Sequence, residues 1–170
     1  SYHPDGVKLE STEISEGVVY DKGGVKLTAF KVDHGGEALD AFGYRIDFDG
    51  RSAVLSGDTT FNENVIKFGT GADLLVHEVV HGMDMNADTK NIERITRNHT
   101  TAERAGEVFA RARPKLAAYT HLLLFGNATA DELIPATRAT YDGPLVVGED
   151  LMRFDITDEV IVTPFEEEQA

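Results

Sequence analysis

Leu74-Leu75-Val76-His77-Glu78-Val79-Val80-His81 is the stretch on which the fold turns. On a helix, His77-Glu78-Val79-Val80-His81 would be the H-E-x-x-H signature of a zinc protease, with two His one turn apart on the metal and Glu as base. The composition points the other way. Leu74 to Val80 is short and rich in β-branched residues, and Gly82 follows the second His directly. The extended protease pattern would also place Gly at position 84 and His at 87, where this chain has Asp84 and Ala87. Ala72 to Val76 is therefore read as a strand buried on both faces that leads into His77-Glu78.

Upstream of it lie two hairpins. Val18-Val19-Tyr20 and Val25 through Val32 alternate around Asp21-Lys22-Gly23-Gly24, and Phe42 to Phe48 returns through Ser52 to Leu55 across Asp49-Gly50, a type I′ turn pair. A short helix is expected around Asn64 to Phe68, ended by Gly69. Downstream, Thr100-Thr101-Ala102-Glu103 has capping-box spacing, and Ala105, Val108, Phe109 and Ala112 repeat at helical intervals until Pro114. Lys115 to Thr120 reads as a strand and Thr129 to Tyr141 as a helix. Leu145 to Val147, Met152 to Ile156 and Val160 to Val162 read as further strands. The expectation is one mixed α/β domain over residues 1–170, with an acidic tail over residues 164–170.

Four chemically capable residues fall where a strand runs out: His34 after Val32, Asp58 after Leu55, His77 after Val76 and His121 after Thr120. Strand ends converge on one edge of a helix-covered sheet, where ligands and metals bind. Taken singly, each has a plain reading as a turn Asp or a hydrogen-bonding surface His. His99 stands just before a helix N-terminus, as a loop His beside a cap or as a proton donor at the positive end of the dipole.

Composition narrows the chemistry. The 170 residues carry 16 Lys+Arg against 30 Asp+Glu, a formal charge of −14, and 41% are hydrophobic, enough for a packed core. With no Cys there is no disulfide, thiolate zinc site or Cys nucleophile, so His, Asp and Glu must carry any metal. No run approaches the roughly 18 apolar residues of a membrane span. The negative charge disfavours nucleic acid as a partner.

These motifs in this order resemble the C-terminal half of the metallo-β-lactamase superfamily, in its ribonuclease Z and arylsulfatase-like branch. The resemblance is carried by Asp33-His34, Ser56-Gly57-Asp58-Thr59, Leu74 to Glu78, His99-Thr100-Thr101 and Tyr119-Thr120-His121, and runs from about Val25 to Ile156. It implies an αββα sandwich with a dinuclear metal site at the sheet edge, two Zn per complete site, with Mn or Fe as alternatives. His34 would be a terminal ligand of one metal, Asp58 the bridging carboxylate and His121 a ligand of the other. His99 would assist the leaving group and Glu78 would orient His99; Asp33 and Asp73 are candidates to fix His tautomers.

The family's His-x-His-x-Asp-His string does not occur in this chain. Three ligands are too few for two zinc ions, which take four donors each or three and a water. The chain is thus expected to be the C-terminal portion of a larger enzyme, whose N-terminal half carries that string, and the start at Ser1 fits this. The implied activity is hydrolysis of a phosphodiester, sulfate ester or lactone by a metal-activated water, on a small-molecule ester, in a chain that could pair as a homodimer. A cytoplasmic location and a periplasmic or secreted one stay equally open. The alternative is a non-catalytic binding module that kept the fold.

Overall fold

The structure, a computed structural model, describes residues 11–36, 40–82 and 89–165. Most of the expected acidic tail, residues 166–170, lies outside them. Strands β1 (Gly17–Lys22), β2 (Val25–Val32), β3 (Ala41–Phe48) and β4 (Arg51–Leu55) form an antiparallel meander. Asp49 and Gly50 both take positive φ, 47° and 72°, as a type I′ turn requires.

After α1 (Glu63–Gly69) the chain enters β5 (Leu74–His81), which pairs parallel to β4. The decisive stretch is thus a strand, and it continues through both His residues of the H-E-x-x-H string. In a strand those two His stand about 13 Å apart, at ~3.3 Å per residue, too far to share one ion, and the protease reading falls. Helices α2 (Thr89–Asn98) and α3 (Ala102–Ala112) follow, then β6 (Leu116–Leu124), a 3₁₀ turn (Ala130–Glu132), α4 (Leu133–Thr137) and β7 (Leu145–Val147). The large sheet has the order β1-β2-β3-β4-β5-β6-β7, parallel from β4 onward, and β8 (Arg153–Ile156) with β9 (Val160–Thr163) forms a separate two-stranded sheet.

Three local expectations need correction. Thr101, not Thr100, caps α3, its side chain accepting the amide of Arg104, while the Thr100 hydroxyl donates to the Thr59 carbonyl. The helix expected over Thr129 to Tyr141 is a 3₁₀ turn and the short α4, because Thr129 provides no side-chain cap and Pro135 has no amide to donate. Helix α2, which the sequence reading left out, is real and mostly polar.

One core lies between the sheet and the helices. Phe30, Val54, Leu75, Val79 and Tyr119 from the strands meet Val65 of α1, Val108 and Phe109 of α3 and Leu133 of α4, and Phe109 stands 5.5 Å from Tyr119 and 5.6 Å from Tyr141 between ring centroids. On the other face, Leu74, Leu116 and Ala118 pack against Phe154, Ile156, Val160 and Val162 of the small sheet. This is a helix layer on a sheet on a second sheet, the mixed α/β layering expected of this part of the fold. Register places Tyr20, Leu27, Ile46 and Ala53 in one row with Leu74 on that second face, and here Tyr20 is 47% exposed and Leu55 40%. No helix among the described residues is long and apolar enough to cross a membrane.

Candidate metal centre

Backbone geometry at the end of β4 and at a bulge inside β6 builds the site; His121, expected where its strand runs out, stands within the strand instead. At the end of β4 the Ser56 amide donates to the Val76 carbonyl at 2.9 Å, and the Glu78 amide donates to the Ser56 hydroxyl at 3.1 Å, lashing this turn to β5. Gly57 then takes φ +63°, and a Cβ there would lie 2.4 Å from the Phe42 carbonyl, so only Gly can make the turn that delivers Asp58. On β6 the pairing passes from Glu78 opposite Thr120 to Val79 opposite Leu122, which leaves His121 as the extra residue of a bulge with φ 45°. Bulges re-aim side chains. Here His121 Nε2 comes to 3.5 Å from Asp58 Oδ2, both side chains a little over 40% exposed.

His34 follows β2, and its Nδ1 lies 2.9 Å from the Asn98 carbonyl. A carbonyl only accepts, so Nδ1 carries the hydrogen and Nε2 keeps a lone pair for a metal. His99 follows α2 and stands between the other two, its ring centroid 4.9 Å from that of His34 and 5.6 Å from that of His121. Its Nδ1 is 3.4 Å from Glu78 Oε2, in the closed part of the cluster, where His99 is 14% and Glu78 1% exposed. The other Glu78 oxygen accepts the Thr100 amide at 2.8 Å.

Burial, and secondarily the charge of Asp58, push the Glu78 carboxyl up to about 8 against the amides of Thr100 and Thr59. Burial also lowers His99, helped by the neighbouring His34 and His121 and opposed by Asp58.

The cluster therefore gathers His34, Asp58, Glu78, His99 and His121 at one edge of the sheet. Its tightest group of potential ligand atoms among the described residues, all within 4.8 Å, is Glu78, His99 and His121, because the bulge brings the His121 ring alongside His99. The expected trio of His34, Asp58 and His121 is less compact: Asp58 meets His121, while His34 lies across His99. His77 is not part of it. Its ring is fully buried edge-on against Phe109, 6.0 Å between centroids, and burial lowers it to about 4, so it is a core histidine. Asp33 accepts the Gly36 amide in its own turn, and Asp73 binds Ser52 and Lys115 at the opposite end of β5, so neither holds a His ligand. The groups that fix the cluster, the Asn98 carbonyl on His34 and the Thr100 amide on Glu78, are backbone groups that no residue type announces.

These donors suit a divalent ion. Two donors ~2.1 Å from a tetrahedral ion stand about 3.4 Å apart, which the Asp58–His121 separation matches. Glu78 Oε2 and His99 Nδ1 are buried without a well-formed hydrogen bond among the described residues, a pair short of a proton or a cation between or beside them. A set of imidazoles and carboxylates without thiolate suits Zn, Mn or Fe.

Comparison with known proteins identifies the family. Residues 1–122 match the family described as the β-lactamase superfamily domain. The chain is 31% identical to a ribonuclease Z of Mycobacterium marinum over 87% of its length and 53% of that protein's. It is 35% identical to a ribonuclease Z of Haloarcula marismortui over 70% of its length and 39% of the relative's. The chain thus spans about half the length, or less, of these curated relatives. The metallo-β-lactamase fold protein YhfI of Bacillus subtilis superposes with a TM-score of 0.62 at 21% identity, over 76% of this chain and 49% of that one, a likeness of fold. That these relatives are ribonucleases weighs against the expectation, drawn from net charge, that nucleic acid is disfavoured. The chain belongs to the metallo-β-lactamase superfamily, in its ribonuclease Z-like branch, and is partial relative to those relatives.

Proposed function

We propose that this chain carries the C-terminal part of the active centre of a metal-dependent phosphodiester hydrolase. The observation that carries the reading is the paired arrangement at the sheet edge: Asp58 with His121 on the open side, and His99 with Glu78 behind them. Divalent ions, zinc foremost, would be held by His34, Asp58 and His121 and would supply a water acidic enough to ionise near neutral pH, with counter-charge for the phosphoryl oxygens. His99 stands where it can give a proton to the departing oxygen, and Glu78, fixed by the Thr100 amide, holds the His99 ring in place. Sulfate esters and lactones lose ground to a phosphodiester because the relatives are ribonucleases.

Three ligands leave each zinc undersupplied, so the remaining donors come from an N-terminal half with a His-x-His-x-Asp-His string. The exposed row around Tyr20 and Leu55 suits the surface such a half would cover. The test is metal content and hydrolysis of bis(p-nitrophenyl) phosphate, measured on this chain and on a polypeptide extended N-terminally to its relatives' length. Tight metal binding and chelator-sensitive hydrolysis by the extended form, both lost in Asp58→Ala, are the expected result. An extended form that holds no transition metal would leave the non-catalytic reading in its place.

A further inference from the structure

The chain is strongly acidic, yet one wall of the site is basic. A groove of about 430 Å³ beside the metal cluster is lined by His34 and by Lys90, Glu93, Arg94, Arg97 and Asn98 of α2. Lys90, Arg94 and Arg97 recur at i, i+4 and i+7, so they form one stripe along the helix, and all three are exposed. Three of the 16 basic residues thus stand together at the entrance to a centre that otherwise presents carboxylates and imidazoles. Neither Arg94 nor Arg97 has an ion-pair partner among the described residues, whereas Arg51, Arg104, Arg111 and Arg153 elsewhere on the surface each hold one. Glu93 is the one carboxylate on the groove wall among the described residues.

We infer that this face of α2 is a backbone-phosphate subsite, which lays a polynucleotide strand along the groove so that one of its phosphodiesters reaches His34 and the metal centre. The inference rests on the phosphodiesterase reading and adds to it the residues that recognise the strand. Its length argues for a strand rather than a single phosphate. Seven residues of helix at ~1.5 Å each span about 10 Å, and a nucleic acid strand carries one charge per ~3.4 Å of helix axis, so the stripe faces roughly three phosphates. Arg can grip a phosphate with two parallel N–H donors, which fixes register as well as supplying charge. Contacts of this kind position without reading sequence, so binding should tolerate any base order.

The experiment is fluorescence anisotropy of a labelled oligouridylate with the 170-residue chain in chelator, as a function of salt, so that binding is read apart from metal chemistry. Arg94→Gln/Arg97→Gln is compared with the wild type and with Lys22→Gln/Lys67→Gln, which removes two exposed charges from β1 and α1. The arginine pair should weaken binding at least ~10-fold and reduce the slope of log affinity against log salt by about 1.4, at ~0.7 per phosphate contact on a single strand, while the lysine pair changes neither. Circular dichroism confirms that both variants fold. A wild-type chain that does not bind the oligomer, or an arginine variant with unchanged affinity and slope, overturns the subsite. Failure of the catalytic reading shows separately, as no metal-dependent hydrolysis of bis(p-nitrophenyl) phosphate by the extended polypeptide, whatever the oligomer does.

Discussion

Glu78 grips the His99 segment at two points: one carboxyl oxygen lies 3.4 Å from His99 Nδ1 and the other accepts the amide of Thr100, the next residue along. The ring and the backbone that carries it are therefore set by one buried side chain on β5. This contact keeps His99 Nδ1 turned inward toward Glu78.

This geometry predicts a graded response to leaving group. His99→Ala in the extended polypeptide should lose ~100-fold or more in kcat with a poor alkoxide leaving group, and far less with p-nitrophenolate, which departs without a proton. Glu78→Gln keeps the shape but not the acid–base partner, and should follow the same pattern at about 10–100-fold. Steady-state kinetics on two esters that differ only in leaving group decide the matter. Equal losses on both would assign the pair a purely structural role.

Gly57 sets Asp58. Its φ of +63° and the 2.4 Å approach of a Cβ to the Phe42 carbonyl leave no room for a side chain. Gly57→Ala should cost about 2–4 kcal/mol of stability, from left-handed strain plus displacement of backbone. Because the displaced residue is Asp58, metal affinity should fall with it. Thermal unfolding and a zinc competition titration measure the two effects on the same sample, and a variant that is destabilised yet binds zinc normally would show that Asp58 is not a ligand.

Much of this was readable in the residues because the signals are local. Asp49-Gly50 encodes its turn, Pro114 ends α3, and the β-branched run through His77 favours a strand over the protease helix. The positions of His34 and Asp58 just past β2 and β4 follow from the same apolar runs, whereas His121, expected past the end of its strand, lies inside β6. Other features depend on partners distant in sequence. The bulge that turns His121 toward Asp58 is a matter of register between β5 and β6, which no local motif records. Helix α2 is hard to read from the sequence because only Ile92 and Ile95 are apolar among its ten residues, so its sidedness rests on polar and charged residues rather than on an apolar repeat. His77 carries the same local signal as His121, and only packing against Phe109 makes it a core residue.

Asp73 separates structural carboxylates from those of the centre. It accepts the Ser52 amide at 2.7 Å and pairs with Lys115 at 2.7 Å, at the start of β5, while Glu78 lies five residues on, about 16 Å along the strand. Asp73→Ala leaves the buried Ser52 amide without its acceptor and should cost about 1–3 kcal/mol. Zinc affinity should stay unchanged. Chemical denaturation with a parallel zinc titration checks both, and a matching loss of zinc would return Asp73 to the metal centre.

The buried His77 gives the chain a distinct acid response. Burial against Phe109 lowers it from 6.5 to about 4, so between those values the unfolded chain takes up a proton that the folded chain refuses. Stability must then rise with pH across this window and fall as the solution is acidified from about 6.5 toward 4, by up to about 3 kcal/mol for the one group. The raised Glu78 acts with the opposite sign, favouring the folded state on acidification from about 8 downward, so the whole-protein curve mixes the two. Comparing variants isolates His77. His77→Leu fills the same apolar site with a side chain that does not titrate, and its midpoint of unfolding should fall less than the wild type's between pH 7 and pH 5. Parallel curves for the two proteins would mean that His77 is protonated in the folded state and held by a partner within the core.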